Sequence, residues 1–443
     1  MSDLRAALAA VHDQSRADLE ALARIPSISS DPEHAGDVAR ALDAVRAHAV
    51  DAGAADTSIV DGGGHPALIA HWAAPEGKPT VLLYAHADVQ PTGPVEEWTS
   101  APFEPTERDG RLYGRGAADD KAGVMMHLAV LRAFGGKPPV GVVLFIEGEE
   151  EIGSPTLTRL LADHKDALRS DVIVIADSAN AAVDVPAFTT SLRGLVDLYV
   201  DVTLLERPVH SGMFGGPITD ALTILCRLLA TLHDEDGNVA VEGVHVGSSS
   251  APDMPEDVYR SDTTLVPGAQ LVGCGSIVER LWDKPAVSVL GIDAPSTAQA
   301  SNVLLPKARA KVSLRIAPGD DAQSALKALT RHLESRVEWG AEVTVTPGST
   351  GDAFSLETTG TVYDLARRTF SEAYGNAAVE SGIGGSIPFI AEFARTYPGA
   401  TVLVTGVGDP ASRWHGIDES LDLAMWQKAC LAEALLLEGL AQG

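Results

Sequence analysis

The chain has 443 residues, of which 45% are hydrophobic, 5% aromatic and 21% charged. This composition is typical of a globular protein, and it excludes a disordered chain, a collagen-like chain and a small disulfide scaffold. Acidic residues outnumber basic residues by 61 to 33, which gives a formal net charge of -28. Because such a surface repels phosphate backbones and anionic lipids, we expect no nucleic-acid partner and no membrane partner.

The cysteines and the first residues of the chain favour the cytoplasm. Cys226, Cys274 and Cys430 are far apart and form no C-x-x-C motif, as expected for buried free thiols in a reducing compartment. Residues 1–20 contain acidic side chains and no apolar core of a signal peptide. No apolar run approaches the ~20 residues that a membrane-spanning helix needs.

The first part of the chain alternates between helical and apolar segments. The spacing of the apolar residues predicts helices at 2–24, 36–52, 121–134 and 155–168. Short runs that are apolar on both faces, and that end in polar residues, lie at 80–85, 140–146, 171–176 and 401–405. Such runs are typical of buried parallel strands, so the sequence predicts an α/β fold with a mostly parallel central sheet.

From about residue 191 the apolar residues alternate with polar ones, a pattern typical of half-exposed strands. The predicted strands and helices in this region are, in order, 194–204, 217–233, 308–316, 321–337 and 341–347. A stretch rich in glycine, serine and proline, at about 234–285, is interpreted as an insertion. The element order predicts a smaller α+β domain of the ferredoxin-like type.

The helical segment 360–374 and the strand at 401 return to the pattern of the first part of the chain. We therefore predict that a second domain, residues 191–349, is inserted into a first domain. The first domain would consist of residues 1–190 and 350–443.

Histidine and carboxylate residues follow each of the buried strands. His86 and Asp88 follow the first strand, and three glutamates follow the second strand at 149–151. Asp177 follows the third strand, and the loop after the fourth strand reaches His415. Ligands of open α/β sheets bind outside the carboxyl ends of the strands. Carboxylates gathered there repel one another unless a cation neutralises them, and mixed imidazole and carboxylate ligands suit zinc, manganese or cobalt. The sequence therefore predicts a metal site at this edge.

Each of these residues also has a simpler explanation when it is taken alone. A histidine after a strand is often a capping or core residue, and the glutamates at 149–151 could form a solvated loop. Asp177 could be an N-cap or turn residue, and Asp119 and Asp120 could cap the helix that follows them. The metal hypothesis depends on the combination of all these residues.

Longer motifs occur in a fixed order over nearly the whole chain. They are 86–91 (HADVQP), Trp98 with Pro102 and Phe103, 114–121 (GRGAADDK), 147–154 (EGEEEIGS), Arg193 with Gly194, 210–212 (HSG), 384–388 (GGSIP) and His415. This set resembles the M20 metallopeptidases, which include carnosinase-type dipeptidases, aminoacylases and desuccinylases. The 89–91 extension and the paired aspartates at 119 and 120 look most like the dipeptidase branch.

The resemblance implies a zinc-peptidase-like catalytic domain that binds two divalent metal ions per subunit, zinc first, with manganese or cobalt as alternatives. In that arrangement His86 and Asp177 would bind one ion, and Glu151 and His415 would bind the other. Asp119 would bridge both ions.

The resemblance also implies the catalytic roles. Glu150 would act as general base on a metal-bridging water, and Asp88 would orient His86; spacing alone does not decide between Glu150 and Glu151. The peptide bond between Asp119 and Asp120 would be cis. His210 would stabilise the oxyanion in the active site of a partner subunit, so the inserted domain would serve as a lid and would form a homodimer.

The resemblance further implies that the substrate's C-terminal carboxylate is bound by Asn302, Arg315, Gly385 and Ser386. For Arg315, an ordinary charge on the outer face of a strand is the alternative. The chain departs from the dipeptidase pattern in two informative places, because Ile383 stands where a glutamate is usual and Asp418 where an asparagine is usual. Trp414 beside His415 is also unusual for the family.

These features predict a hydrolase that cleaves the peptide bond of dipeptides or short peptides with a free C-terminal carboxylate. An N-acyl-amino-acid deacylase of the same fold is the first alternative, and a non-catalytic metal-binding homologue is a more distant one. The chain contains no G-x-S-x-G motif, no phosphate-binding G-x-x-x-x-G-K-[ST] loop and no complete dinucleotide fingerprint. Serine hydrolases, P-loop enzymes and dinucleotide-binding enzymes are therefore disfavoured.

Overall fold

The structure, a computed structural model, describes residues 2–248, 253–384 and 388–442. The packing of the chain divides it into two compact units. Unit 1 is formed by the described residues of 1–190, 356–381 and 387–443, and unit 2 by those of 191–355 and 382–386.

In chain order, the helices are α1 Ser2–Ala23, α2 Ala35–Asp51, α3 Lys121–Ala133, α4 Leu157–Asp163, α5 Ser211–Phe214, α6 Ala221–Ala230, α7 Glu256–Asp262, α8 Ala322–Ser335, α9 Thr361–Tyr374, α10 Pro388–Thr396 and α11 Leu423–Leu440. The strands are β1 Asp56–Val60, β2 Ala67–Trp72, β3 Thr80–His86, β4 Thr106–Arg108, β5 Arg111–Tyr113, β6 Gly141–Glu147, β7 Val172–Ile175, β8 Ala187–Leu192, β9 Gly194–Thr203, β10 Val209–His210, β11 Ala286–Asp293, β12 Val303–Leu304, β13 Lys307–Ile316, β14 Glu342–Gly351, β15 Phe354–Ser355, β16 Val379–Ile383, β17 Thr401–Val404 and β18 Ser420–Asp422.

Unit 1 is built on a six-stranded sheet of order β1-β2-β6-β3-β7-β17. Strands β6, β3, β7 and β17 run parallel to one another, whereas β1 and β2 pair antiparallel at one side. Every residue of β6 is buried, and all except Glu147 at its end are apolar or glycine, as expected for a central strand that is covered on both faces. The four predicted apolar runs form these four parallel strands, so the prediction of an α/β fold with a mostly parallel sheet is confirmed.

A small antiparallel sheet in unit 1 joins two segments that are far apart in sequence. Strand β5 pairs with β4 on one side and with β18 on the other, so that Leu112 lies opposite Leu421. This pairing brings the segment before Asp119 beside the end of the loop that carries His415. The following helix, α11, begins where Asp422 accepts a hydrogen bond from the main-chain N–H of Met425 at 2.8 Å.

Unit 2 contains an antiparallel sheet of order β11-β13-β9-β14. One face of β9 carries Val196, Leu198, Val200 and Val202, which are buried in the same hydrophobic cluster as residues of α6 and α8. Because alternate residues of a strand point to opposite faces, the other face carries polar and aromatic side chains such as Tyr199. This arrangement confirms the predicted α+β character of the inserted region.

Some predicted boundaries and elements differ from the structure. The predicted helix at 217–233 begins only at Ala221, where Asp220 accepts a hydrogen bond from the N–H of Thr223 at 2.9 Å. Strands β1 and β2 and helix α11 were not predicted. None of the helices in the described part of the chain combines the length and apolar character needed to cross a membrane.

The buried centre of the main sheet should be sensitive to the loss of side-chain volume. Leu83 lies on β3 with no exposed surface, whereas Val50 at the end of α2 is 57% exposed. We expect Leu83→Ala to lower the free energy of unfolding by about 2–5 kcal/mol, because it leaves a cavity between packed layers. Val50→Ala, the control, should change it by less than ~0.5 kcal/mol. Urea unfolding followed by circular dichroism measures both, and equal effects would contradict the assigned core.

Candidate metal centre

The candidate residues meet at the carboxyl ends of the parallel strands of unit 1. His86 is the last residue of β3, and Asp177 lies two residues after the end of β7. Glu150 and Glu151 open a short 3₁₀ turn directly after β6. The sequence allows that turn because Gly148 precedes it: a Cβ atom at this position would lie 2.6 Å from the carbonyl oxygen of Pro66.

Asp119 lies at the centre of the group. Its Oδ1 atom is 3.1 Å from Nε2 of His86, and its Oδ2 atom is 3.0 Å from Nε2 of His415. The same nitrogen of His415 is 3.2 Å from Oε2 of Glu151, while Nε2 of His86 is 3.9 Å from Oδ2 of Asp177. Each carboxylate oxygen of Asp119 therefore faces a different histidine, and each histidine has a further carboxylate beside it.

Two sets of three ligand atoms are close enough to share an ion. One atom each from His86, Asp119 and Glu151 lie within 4.8 Å of one another, and so do atoms from His86, Glu150 and Asp177. Imidazole and carboxylate donors in this mixture suit divalent zinc, manganese or cobalt. The donor set therefore fits the metal ions that the sequence predicts.

Burial makes this concentration of negative charge costly. It raises the pKa of Asp177 to about 7, and burial together with the charge of Asp177 raises the pKa of Glu150 well above its usual value. Burial also raises the pKa of Asp120. Burial acts in the same direction on Asp119, but the hydrogen bonds with His415 and His86 outweigh it and lower its pKa. The repulsion among these carboxylates therefore favours the binding of protons or cations between them.

The neighbouring carboxylates also raise the pKa values of the two histidines. Hydrogen bonds to Asp119 and Glu151 raise the pKa of His415 to about 10. Burial acts to lower the pKa of His86, but the contacts with Asp119 and Asp88 outweigh it and raise the pKa well above its usual value. A divalent ion that binds here must therefore displace protons from the imidazole rings as well as from the carboxyl groups.

Asp88 contacts both His86 and the turn that carries Glu150 and Glu151. Its Oδ1 atom is 3.4 Å from Nδ1 of His86, which also lies 3.1 Å from the main-chain oxygen of Asp88. Its two carboxylate oxygens accept hydrogen bonds from the main-chain N–H groups of Glu150, at 3.2 Å, and Glu151, at 3.0 Å. One buried carboxylate thus fixes the orientation of a histidine and the turn that carries both glutamates.

The three consecutive glutamates differ in their surroundings. Glu149 is fully buried and accepts hydrogen bonds from the N–H groups of His65, at 3.0 Å, and Thr156, at 2.7 Å. Glu151 accepts hydrogen bonds from the main-chain N–H and the side chain of Gln90. The carboxylate of Glu150 makes no hydrogen bond to any other described residue. The sequence pattern did not distinguish these three environments.

The paired aspartates precede α3. The peptide bond between Asp119 and Asp120 is cis, as the resemblance implies. Asp120 accepts a hydrogen bond from the main-chain N–H of His86 at 3.2 Å, which ties this segment to the end of β3. Lys121 is fully buried and donates to the carbonyl oxygens of Leu22 and Ile25, and burial lowers its pKa to about 7. Neither of these supporting roles was predicted.

The other predicted residues lie in unit 2. His210 is exposed and accepts a hydrogen bond from the N–H of Gly212 at 3.1 Å. The carbonyl oxygen of Asn302 accepts a hydrogen bond from the N–H of Ser211 at 3.0 Å, so His210 and Asn302 lie on neighbouring segments. Two further predicted residues, Gly385 and Ser386, lie outside the described residues.

Arg315 is half-buried on β13, and its guanidinium forms no ion pair within the part of the chain that the structure describes. Arg193 is a neighbour that the prediction did not include as a site residue. Burial, and then the charge of Arg315, lower the pKa of Arg193 to about 10. The side chain of Arg193 donates to the carbonyl oxygen of Gly384 at 3.2 Å. Unit 2 thus presents two guanidinium groups close to each other.

Of the residues that depart from the dipeptidase pattern, Asp418 has an identifiable contact. Its carboxylate accepts hydrogen bonds from the main-chain N–H of Thr99, at 2.9 Å, and from the Thr99 hydroxyl, at 2.7 Å. Trp414 is half-buried and packs against the core of unit 1. Both residues therefore anchor the loop around His415.

A mostly parallel sheet that gathers imidazole and carboxylate groups at its carboxyl edge is the arrangement of a metal-dependent hydrolase. Residues 82–438 match the family described as peptidase family M20/M25/M40. The chain belongs to this family and is a peptidase, which confirms the resemblance inferred from the motifs.

Named relatives and solved structures agree with this family. The chain is 36% identical, over 366 residues, to a cysteinylglycine-S-conjugate dipeptidase of Corynebacterium striatum, in a match that covers 81% of this chain and 80% of the relative. The fold is similar to that of the di-peptidase Dug1p of Saccharomyces cerevisiae, with a TM-score of 0.81 and 22% identity over 100% of this chain and 98% of the other. Human carnosine dipeptidase 1 gives a TM-score of 0.76 and 25% identity over 100% of both chains.

Metal binding at this centre should depend on pH. Because Asp177 has a pKa of about 7 and His86 a raised pKa, both hold protons at low pH that an ion must displace. We expect the affinity for Zn²⁺ to increase as the pH rises from about 5.5 to about 7.5. Calorimetric titration of metal-stripped protein at several pH values measures this affinity. We expect the variant Asp177→Asn to bind Zn²⁺ more weakly and with a smaller dependence on pH. An affinity that does not change with pH would contradict this assignment.

Proposed function

We propose that the protein is a dipeptidase that uses two divalent metal ions to cleave dipeptides or short peptides with a free C-terminal carboxylate. The observation that carries the proposal is the position of Asp119, whose two oxygens lie 3.1 Å and 3.0 Å from the Nε2 atoms of two different histidines. A carboxylate that bridges two ions needs this arrangement. The dipeptidase names of the relatives point to the same substrate class.

In this proposal, His86 and Asp177 hold one ion, Glu151 and His415 hold the other, and Asp119 bridges them. Zinc fits this donor set best, and manganese and cobalt are alternatives. When bound, two ions in such a site polarise the scissile carbonyl and lower the pKa of a shared water.

Glu150 is the proposed general base. It lies in the same cluster as His86 and Asp177, yet its carboxylate makes no hydrogen bond to another described residue. The raised pKa of Glu150 suits a group that takes a proton from water and passes it to the leaving amine. Glu151 is less suited, because Gln90 holds its carboxylate in place. Asp88 is the proposed orienting residue, since it contacts His86 and the turn that carries Glu150.

The substrate's carboxylate is proposed to bind to residues of unit 2. Arg315 supports this role because its guanidinium has no ion-pair partner among the described residues, and a planar guanidinium binds a carboxylate at two points. Asn302 and the loop of Gly385 and Ser386 would complete the carboxylate site. His210 would donate a hydrogen bond to the carbonyl oxygen of the scissile bond as negative charge develops there.

We propose that unit 1 is the catalytic domain and that unit 2 is a lid and dimerisation domain. Strand β11 lies at the edge of the unit 2 sheet, and its residues Val289, Leu290 and Ile292 are exposed. An apolar edge strand pairs readily with a second copy of the same strand. His210 would then act in the active site of the partner subunit. The expectation of buried thiols is wrong for Cys226 and Cys274, which are exposed, and holds for Cys430. Free thiols at the surface suit the reducing cytoplasm that we propose for the protein.

Replacement of the proposed base should separate catalysis from metal binding. We expect Glu150→Gln to lower kcat by roughly 10²–10⁴-fold, because the variant keeps the shape of the side chain and loses its proton acceptor. Glu76→Gln, at an exposed position, is the control and should retain full activity. Steady-state kinetics with a dipeptide and metal titration of both variants measure the effects. Undiminished hydrolysis by Glu150→Gln would exclude Glu150 as the base.

A substrate panel tests the proposed reaction. Metal-stripped protein should release no amino acid from dipeptides such as Cys-Gly or β-Ala-His, and added Zn²⁺, Mn²⁺ or Co²⁺ should restore cleavage. N-acetyl and N-succinyl amino acids form the second half of the panel. Cleavage of the acylated compounds alone would replace the dipeptidase proposal by a deacylase, and Ile383, where a glutamate is usual, would be the first residue to examine.

A further inference from the structure

A buried ion pair lies between the segment that carries Asp119 and the loop that carries His415. Nη1 of Arg115 is 2.6 Å from Oε2 of Glu419, and the two residues are 1% and 0% exposed. Neither residue is a candidate metal ligand, and Glu419 belongs to none of the motifs that the sequence revealed. A buried ion pair is costly to desolvate, so stability alone is a weak reason for its presence.

Glu419 binds the turn that ends at Asp119. Its Oε1 atom accepts hydrogen bonds from the main-chain N–H groups of Ala118, at 2.9 Å, and of Asp119 itself, at 3.0 Å. Its Oε2 atom accepts the N–H of Gly116 at 3.1 Å as well as the guanidinium of Arg115. A single carboxylate therefore fixes the main chain of the residue that faces both histidines.

Arg115 reaches the other side of the centre. Its Nη2 atom donates to the carbonyl oxygen of Gly416, the residue after His415, at 3.2 Å and to that of Pro91 at 3.1 Å. The N–H of Gly114 donates to the carbonyl oxygen of Glu419 at 3.0 Å. The pair thus connects the segment before Asp119 with the loop that carries His415.

That loop has an unfavourable backbone conformation. His415 has a φ of 58°, and Arg413 and Asp418 have φ values of 54° and 59°. These values lie in the left-handed region, which residues other than glycine adopt only when surrounding contacts hold them there. The contacts of Arg115 and Glu419 are among those that hold this loop.

We propose that Glu419 is a positioning residue which, together with Arg115, sets the position of Asp119 relative to His415 and so prepares the metal centre for its ions. The proposal rests on the proposed function only in that Asp119 and His415 are taken as metal ligands. A buried ion pair that binds no metal itself thus controls the positions of two ligands, and metal affinity depends on these positions.

The variant Glu419→Gln tests this role with little change in side-chain shape. One carboxylate oxygen becomes an NH₂ group, which cannot accept a hydrogen bond. Whichever way the amide turns, either the N–H groups of Ala118 and Asp119 or those of Gly116 and Arg115 lose their acceptor. The negative charge opposite Arg115 is lost in both orientations.

We expect Co²⁺ to bind to metal-stripped Glu419→Gln roughly 10- to 100-fold more weakly than to the wild-type protein. The visible absorption of bound Co²⁺, which reports the coordination geometry, should also change. Calorimetry and absorption spectroscopy with Co²⁺ alone measure both quantities without any assay of activity. Wild-type affinity together with a wild-type spectrum would overturn the proposal.

Asp409→Asn is the matched control. Asp409 is 5% exposed and pairs with Arg111 at 2.7 Å, and its carboxylate otherwise binds only the N–H of Ala411 and the hydroxyl of Ser412 in the described chain. Arg111 also donates to the hydroxyl of Ser420, at 2.9 Å, and to its carbonyl oxygen, at 3.1 Å, so this pair ties the two ends of the same loop together. Within the described chain, the carboxylate of Asp409 makes no hydrogen bond with the turn at 116–119, which Glu419 binds directly. We expect Asp409→Asn to lower the unfolding temperature as Glu419→Gln does, and to keep the wild-type affinity for Co²⁺. An equal loss of affinity in both variants would show a merely structural role and overturn the proposal.

If Glu419→Gln does not fold, Glu419→Asp replaces it, because this variant keeps the charge and shortens the reach by one methylene. Weakened Co²⁺ binding by folded Glu419→Asp supports the proposal, and wild-type binding overturns it. Failure of the proposed function gives a different result, since the wild-type protein itself would then bind no Co²⁺ or cleave no dipeptide.

Discussion

The structure of the site depends on the mutual repulsion of carboxylates that are buried close to one another. Asp119, Glu150 and Asp177 lie close together at the edge of the main sheet, and burial raises the pKa values of Glu150 and Asp177. Such a group is stable only with protons or with cations among its members. The requirement for positive charge explains why two histidines face the group, and it is the physical reason for a metal centre.

The buried carboxylates around the centre fall into two kinds. Asp88, Glu149 and Glu419 accept hydrogen bonds from main-chain N–H groups, so their negative charge is compensated within the protein and they hold segments in place. Glu150 and Asp177 make no such hydrogen bonds among the described residues. The first kind builds the frame, and the second kind is left available for ions or protons. This division follows from contacts and cannot be read from residue type.

Much of the fold was predictable because its buried strands have a strong local pattern. Continuous apolar runs predicted β3, β6, β7 and β17, whose faces are both covered. Helix α11 was missed because it is buried on nearly all sides and so lacks the apolar stripe of an amphipathic helix. Strand β1 was missed because it is short, lies at the edge of the sheet and buries only Val60.

The sequence by itself determined that histidine and carboxylate residues gather at one edge of the main sheet. These residues follow the buried strands, and the carboxyl ends of parallel strands meet at one edge whatever the details of packing. The sequence also placed the chain in its family, through motifs that are local in sequence. The family resemblance already implied that Asp119 lies between the ions held by His86 and by His415. Only the tertiary structure decided the contacts that hold this group in place, such as the pairing of Glu419 with Arg115 from 304 positions away. Contacts between such distant residues are set by strand register and by the packing of whole segments, and these leave no local pattern in the amino-acid sequence.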